Sequence, residues 1–407
     1  MNNISNSSTP TSTDVSFSIG LFGFGTVGRG LYDVLQRLHT DRVSIRRVCV
    51  KHLERHRDAD VCFTDSADDI FNDEKVNFIV ELIDDDVAAY DIVCRALRAG
   101  LPVVSGNKKM LARHLPELIR LQEETGAALL YDASACGSIP VIRNLEEYYD
   151  NDLLQSVKGI LNGSSNFILS KVFNEGMGYA EALKLAQDLG FAESNPSLDI
   201  DGWDSLYKLI IVTMHAFGIY VAPEAIFTYG ISRMNDYDIQ FANEKQRRVK
   251  LVGTAEKIDD SHLSLSVMPH LISRQKYIYS VEDEFNGVVI KGLFYYKQFM
   301  FGRGAGGHPT GSAVLSDITA RLYGYRYEYK KLRSDRQPAY TTDFSFRVYF
   351  RYTNPADRHL LTFEHVDETY TSATNNYLVG YVCMSELVQK AEQLRKADVF
   401  LAAYPLD

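Results

Sequence analysis

The sequence predicts an α/β fold: a doubly wound parallel sheet, then an α+β region, then a small α+β unit at the C-terminal end. Three observations point there. Strand-like and helix-like segments alternate from Phe17 to about Tyr131. Short β-like runs (LSLSVMPHLI, KYIYSV, GVVI) dominate from Leu251 to Ile290. From about Tyr340 the chain reads strand, strand, helix, strand. The 407 residues suffice for two or three domains with their own cores. The pattern divides them into a disordered tail (1–15), a first domain (16–145, completed by 300–330), a second (146–299) and a terminal unit (340–407).

The first domain opens on the apolar run Phe17–Phe22, which stops at Gly23. A helix follows with Val27, Leu31, Val34, Leu35 and Leu38 on one face. Strands are expected at Ile45–Val50, Phe78–Ile83, Pro102–Ser105 and Ala128–Tyr131, and helices near Asp91–Arg98 and Leu111–Glu124. The acidic run Asp84–Asp85–Asp86 reads as a solvated loop. In the second domain, Tyr179–Leu189 is amphipathic and ends at Gly190, and a helix spans about Trp203–Phe217. A glycine-rich stretch, Gly302–Gly311, leads into a helix near Ala313–Leu322. In the terminal unit, strands are expected at Phe344–Tyr352, Tyr377–Met384 and Val399–Tyr404, with Ser385 capping a helix at Glu386–Ala397.

Composition narrows the function. A net charge of −10 argues against a general nucleic-acid binder, which needs a basic face for phosphates. No apolar run approaches the roughly 20 residues that span a bilayer, so no membrane partner is expected. The Ser/Thr/Asn-rich start lacks Lys, Arg and an apolar core, unlike a secretory or transit signal. Five cysteines, none in a CxxC pair, fit reduced thiols in a cytoplasmic protein.

Gly23-Phe24-Gly25-Thr26-Val27-Gly28 is GxGxxG between a strand and an amphipathic helix, the context of a dinucleotide-binding turn. The first glycine permits the turn, the second admits a pyrophosphate, and the third lets helix and strand pack closely. The strand after it lacks the terminal acid that would bind a ribose 2′-hydroxyl. It ends in Lys51, which suits the 2′-phosphate of NADP; NAD stays open.

Glu193, Asp199, Asp201, Asp204 and Lys208 fall within sixteen residues, on a loop entering a helix. Asp204 and Lys208 are four apart and share a face. The helix beyond is apolar nearly all round, so a lysine at its head needs a partner or a cleft and suits proton transfer. Lys108 stands just past Pro102–Ser105, at the carboxyl edge of the first sheet where α/β ligands bind; its neighbour Lys109 should point elsewhere.

These pieces, in this order, resemble the homoserine dehydrogenase family over roughly Ile19–Leu322. The segments are GLFGFGTVGRGL (20–31), VELID (80–84), VVSGNKKMLA (103–112), YDASACGSIPVIRNL (131–145), GILNGSSNFIL (159–169), LAQDLGFAESNPSLDIDGWDSLYKL (185–209) and GRGAGGHPTGSAVLSDI (302–318). The resemblance implies a Rossmann-like domain, a substrate-binding, catalytic and dimerisation domain, and an ACT-like, degenerate terminal unit. It implies NAD(P)-dependent interconversion of L-homoserine and L-aspartate 4-semialdehyde, on the path to threonine, isoleucine and methionine, in at least a homodimer. Carried onto matching positions, Lys208 transfers the proton, assisted by Lys108, with Asp204 orienting both. Glu193, Asp199, Asn162, Gly163 and Ser164 bind substrate. Gly23, Gly25, Thr26, Val27, Gly28, Lys51, Ser105, Lys108, Gly302, Gly304, Ala305 and Gly306 bind cofactor. Backbone carbonyls of Asp132, Ala135, Gly137 and Ile139 hold a sodium-like monovalent cation.

The chain departs from the family pattern in several places. Asp84–Asp85 stands for a usual glycine pair beside the cofactor, Gly106 for alanine, Asp132 for glutamate and Ser164 for threonine. The terminal unit lacks a clear first helix. Two other readings compete: another two-domain NAD(P) oxidoreductase on a small amino acid, and a catalytically impaired nucleotide-binding regulator. A thiol-dependent dehydrogenase would have only Cys136 near a glycine-rich turn, where the resemblance places the cation loop.

Overall fold

The computed structural model describes residues 15–38, 40–55, 59–150 and 153–406; apart from Val15, the expected tail (1–15) lies outside them. Six strands form the first sheet: β1 (Phe17–Phe22), β2 (Val43–Cys49), β3 (Cys62–Thr64), β4 (Phe78–Glu81), β5 (Val103–Ser105) and β6 (Leu129–Leu130). They are parallel, in the order β3-β2-β1-β4-β5-β6. This is the doubly wound order, with its switch point between β1 and β4. Ile19, Leu21, Ile79, Val80, Val103 and Val104 are buried, as in strands covered on both faces.

Helices α1 (Thr26–Leu38), α2 (Ala67–Phe71), α3 (Asp86–Arg98) and α4 (Lys108–Thr125) connect these strands. Two of them correct the sequence reading. Helix α3 begins at Asp86 rather than near Asp91, because Asp85 caps it by accepting the Val87 and Ala88 N–H groups. The acidic run is therefore a helix start, not a solvated loop. Helix α4 begins at Lys108 rather than Leu111, because Asn107 caps it through the Met110 N–H (2.9 Å). Neither β3 nor α2 was expected; a three-residue strand and a five-residue helix carry little periodicity.

The chain continues through α5 (Ala133–Cys136), α6 (Val141–Glu147), β7 (Leu154–Ile160), α7 (Gly163–Glu175), α8 (Tyr179–Asp188), α9 (Ser197–Ile200) and α10 (Trp203–Phe217). Then come β8 (Phe227–Thr228), α11 (Asp236–Glu244), β9 (Arg247–Lys257), β10 (His262–Ser273), β11 (Phe285–Gly292), β12 (Lys297–Arg303), α12 (Gly307–Arg321) and β13 (Ala339–Tyr340). All residues of α10 from Asp204 to Phe217 are buried, as its all-round apolar sequence predicts. Helix α12 packs on α1 with almost no side chain between them: a Cβ on Gly30 would lie 2.0 Å from the Gly307 carbonyl oxygen.

The terminal segment adds β14 (Ser345–Tyr352), β15 (His365–Thr371), β16 (Asn376–Cys383), α13 (Met384–Lys396) and β17 (Val399–Ala403). Its strands run in the order β17-β14-β16-β15, and β17 pairs with β10, so one mixed sheet continues β12-β11-β7-β9-β10-β17-β14-β16-β15. A 3₁₀ turn (Pro355–Leu360) stands between β14 and β15, where a helix would complete a strand–helix–strand pattern. Strand β15 was not expected, since HVDETYT is almost wholly exposed and polar. Helix α13 starts at Met384, one turn position before the expected cap Ser385. A buried ion pair, Arg351 to Asp238 (3.0 Å), ties β14 to α11.

Candidate active site

The glycine turn lies at the carboxyl end of β1. Gly23 has φ +94°, and a Cβ there would sit 2.5 Å from the Leu82 carbonyl oxygen. A Cβ on Gly28 would sit 2.3 Å from the Gly23 carbonyl oxygen, so that glycine closes helix on turn. A Cβ on Gly25 would meet nothing within 4 Å. The space in front of Gly25, at the start of α1, is open to a phosphate, which the helix start favours electrostatically. Gly23 and Gly28 thus allow the tight turn and the close packing expected of them, and the open space at Gly25 fits a dinucleotide.

Lys51, just past β2, is three-quarters exposed, with its ammonium 3.7 Å from the Asp85 carboxylate. The Ala88 N–H and then Lys51 hold Asp85 below the usual carboxylate range. A carboxylate from the β4–α3 turn therefore stands beside the end of β2, which spacing along the sequence does not reveal. Lys109 turns away as expected, to Asp86 (2.8 Å).

The charged cluster forms where α4, α7 and α10 begin. Asp204, in the first turn of α10, is 2% exposed. Its Oδ1 is 2.7 Å from Lys108 Nζ and its Oδ2 is 2.8 Å from Lys208 Nζ. Lys208 also donates to the Leu161 carbonyl (2.7 Å). Asn162 Nδ2 donates to Asp199 (2.7 Å) and Asp204 (2.9 Å), while its Oδ1 caps α7 through the Ser165 N–H (2.8 Å). Two ammonium groups and two carboxylates are thus knitted through one amide. The Lys208 side chain is 8% exposed and that of Lys108 35%, so Lys108 forms the open side of the cluster.

Charge governs protonation here. Burial would raise the Asp204 carboxyl, but Lys108 and Lys208 outweigh it and hold the group below its ordinary range. Asp204 raises Lys108. Burial, then the Asp204 charge, pushes Asp199 up.

Gly163 packs against the backbone of Glu284, where a Cβ would lie 2.6 Å from the carbonyl oxygen, and the Ser164 hydroxyl donates to the Phe191 carbonyl. Glu193 stands outside the hydrogen-bonded cluster: it is exposed, and its carbonyl accepts from Gln187 (3.0 Å).

The Asp132–Ile139 turn and the Gly302–Gly306 loop meet. Ser138 N–H donates to the Arg303 carbonyl (3.0 Å), and a Cβ on Gly137 (φ +56°) would lie 2.6 Å from the Gly304 carbonyl oxygen. Asp132 Oδ1 accepts from Ile142 N–H (2.8 Å) and Arg143 N–H (3.2 Å). The Asp132 carbonyl receives the Ala135 N–H (3.3 Å) and the Ile139 carbonyl the Val141 N–H (2.8 Å), each with a second lone pair left. Burial pushes the Cys136 thiol up to about 12, which rules against its serving as a nucleophile.

Two residues of this region escaped the sequence reading. Asn286, fully buried, has no hydrogen-bond partner for either amide atom among the described residues, and its amide lies 2.1 Å from where a Gly304 Cβ would stand. Glu81, fully buried at the end of β4, accepts the Ser105 hydroxyl (2.5 Å) and the Ile83 N–H (2.7 Å). The buried acid inside the apolar run FIVE was the available signal for Glu81; a lone Asn in a strand gives none.

Two family models match in succession: "Homoserine dehydrogenase, NAD binding domain" over residues 23–132 and "Homoserine dehydrogenase" over 140–319. The homoserine dehydrogenase of Bacillus subtilis is 35% identical over 319 residues, covering 76% of this chain and 73% of its own. That of Helicobacter pylori is 35% identical over 308 residues, covering 74% and 72%. A solved homoserine dehydrogenase from Thiobacillus denitrificans superposes with a TM-score of 0.82 at 28% identity, covering 96% of this chain and 98% of that one. A hyperthermophilic archaeal homoserine dehydrogenase in complex with NADPH gives 0.67 at 26% identity, over 77% and 99%.

Proposed function

The chain belongs to the homoserine dehydrogenase family and is an oxidoreductase acting on a CH–OH group with a nicotinamide dinucleotide; on that premise we propose how its own residues carry the reaction. The observation that carries the reading is the Asp204 carboxylate shared between Lys108 and Lys208 at 2.7 and 2.8 Å.

The dinucleotide, when bound, supplies the hydride chemistry at its nicotinamide ring. The protein then has to bind an amino acid, orient it and manage one proton. In the direction that reduces the aldehyde, the Lys208 ammonium donates to the developing alkoxide, and in reverse its neutral amine takes the hydroxyl proton. Lys108, on the open side, steadies the same oxygen. Asp204 holds both ammonium groups in place and raises Lys108. Asp199 and Glu193 receive the substrate's ammonium, and Asn162, Gly163 and Ser164 line its pocket. Glu193 reaches that role from the exposed edge. Gly23, Gly25, Thr26, Val27 and Gly28 cradle the pyrophosphate. Ser105, Lys108, Gly302, Gly304, Ala305 and Gly306 face the rest of the cofactor, NADP or NAD. The unpartnered Asn286 amide beside Gly304 supports a polar group being received there. Carbonyls of Asp132, Ala135, Gly137 and Ile139 hold a sodium-like cation.

We propose that the chain serves threonine, isoleucine and methionine biosynthesis in the cytoplasm. We further propose a homodimer through the face of β7, β9, β10 and β11, supported by exposed Tyr277, Phe294, Tyr296 and Phe301 near it. Light scattering that finds only a 46.0 kDa species refutes the dimer. The β17-β14-β16-β15 order supports an ACT-like terminal unit with its first helix reduced to a 3₁₀ turn. The function itself is tested by supplying homoserine with NADP⁺ or NAD⁺ at alkaline pH and following reduced-nicotinamide absorbance. Turnover is expected; nucleotide binding without turnover contradicts the reading.

A further inference from the structure

We propose that Glu81 is a positioning residue that sets where the Lys108 ammonium stands, through a hydrogen-bonded link running from the end of β4 to the first residue of α4. The proposal rests on the reading of Lys108 given above.

Glu81 follows Phe78, Ile79 and Val80, all buried and apolar. Among the described residues it has no ion-pair partner. Burying such a carboxyl is costly, and an apolar side chain would pack a strand end more cheaply. What the carboxyl does is tie two turns together. Oε1 accepts the Ile83 N–H (2.7 Å) and Oε2 accepts the Ser105 hydroxyl (2.5 Å). The Ser105 oxygen accepts the Asn107 N–H (3.2 Å), and Asn107 Nδ2 donates back to the Ile83 carbonyl (3.0 Å). The Gly106 N–H donates to the Glu81 carbonyl (2.9 Å). These bonds close a ring across residues 81–83 and 105–107.

Lys108 is the next residue, and its ammonium is 2.7 Å from Asp204. Helix α4 keeps its own Asn107 cap to Met110, so loosening the Glu81 end moves the turn without abolishing the helix. Displacements of about 1 Å cost as much as 10²-fold in rate. The Ser105 hydroxyl is both donating and accepting within this ring, which makes it part of the link and leaves the Ser105 backbone to face the cofactor.

The ring also has a titration to report it. Glu81 is raised to about 7: burial lifts it, the Ser105 and Ile83 bonds pull against that rise, and Asp84 adds to it. Asp84 is the charged group facing it; the flanking strands pair Phe22 and Ser105 alongside. Ionised, the carboxylate accepts both bonds; protonated, one oxygen becomes a donor and the ring loosens.

The test is Glu81→Gln, Ser105→Ala and Lys108→Ala, with Glu81→Gln also placed in the Lys108→Ala background. Glu81→Gln is expected to lower kcat about 10- to 100-fold with cofactor KM within about threefold. It should also abolish an inflection near neutral pH in the wild-type profile, and cost little more once Lys108 is gone. Ser105→Ala should lower kcat in the same direction and leave cofactor KM unchanged. Wild-type kcat in folded Glu81→Gln, with Lys108→Ala impaired, overturns this proposal alone. Full activity of Lys108→Ala overturns the reading on which it rests. Should Glu81→Gln fail to fold, Ser105→Ala decides: a raised cofactor KM at unchanged kcat overturns the link.

Discussion

Lys208 lies one helical turn after Asp204, and its ammonium meets the Asp204 carboxylate at 2.8 Å inside a helix with no exposed residue from 204 to 217. An i,i+4 pair of this kind on a surface contributes about 0.2–0.5 kcal/mol and is unremarked. Here Lys108 arrives from the start of another helix, α4, and shares the same carboxylate. An arrangement that buries two charges and partly buries a third for packing alone is expensive, whereas a reaction that makes and neutralises an alkoxide uses them.

Replacing Lys208 by Ala should lower kcat by about 10²–10⁴-fold, the range typical of a lost general acid–base group. Dinucleotide binding, followed by quenching of protein fluorescence, should change less than about threefold, because the glycine turn is untouched. Activity surviving at near wild-type level removes Lys208 from the proton-transfer role.

Asp204→Asn should destabilise the fold, toward the lower end of the roughly 3–5 kcal/mol that breaking a buried ion pair costs, since Lys108 is partly solvated. The pH dependence has a definite sign. The two lysines hold the Asp204 carboxyl below its unfolded value, so its contribution is present above pH about 4 and fades as pH falls through the lower folded value. Urea titrations should therefore show a constant gap between wild type and variant from pH 8 to about 5, narrowing on further acidification. A gap that widens in acid contradicts the assignment.

Gly25→Ala should leave thermal stability within about 0.5 kcal/mol, since nothing stands within 4 Å of the added carbon, but should raise dinucleotide KM at least about tenfold. Gly28→Ala should do the reverse first, destabilising by about 1–3 kcal/mol through its collision with the Gly23 carbonyl. Calorimetry with steady-state kinetics separates the two; equal melting losses would mean the space before Gly25 is not a ligand's.

Asp85→Asn keeps the cap on α3, because asparagine caps as well as aspartate, while releasing Lys51 from its carboxylate neighbour. The ratio of NADP to NAD turnover efficiency should rise roughly two- to fivefold, the scale of an exposed charge pair. An unchanged ratio would exclude this corner from cofactor choice.

Much of this was legible in the chain itself, for identifiable reasons. The run FSIGLF before GFGTVG fixes a buried strand and a turn by local chemistry, and α10 declares its burial by being apolar all round. What stayed hidden was set by approach in space. Asp85 reaches Lys51 across the switch point, though 34 positions separate them in the sequence. Asn107 starts α4 early because its side chain caps, a choice that an apolar periodicity beginning at Leu111 conceals. Glu81 reads as the polar end of a strand until its bonds to the next turn are seen. Strand β15 has no apolar alternation, since it is a polar edge strand held by β16.

The most direct measurement is a crystal structure of the chain with an oxidised dinucleotide and homoserine bound. The homoserine hydroxyl should lie within hydrogen-bond distance, about 2.6–3.2 Å, of the Lys208 ammonium, with Lys108 on its other side and the dinucleotide phosphates before Gly25. A hydroxyl bound away from both ammonium groups, with the Asp204 bridge undisturbed, would contradict the account.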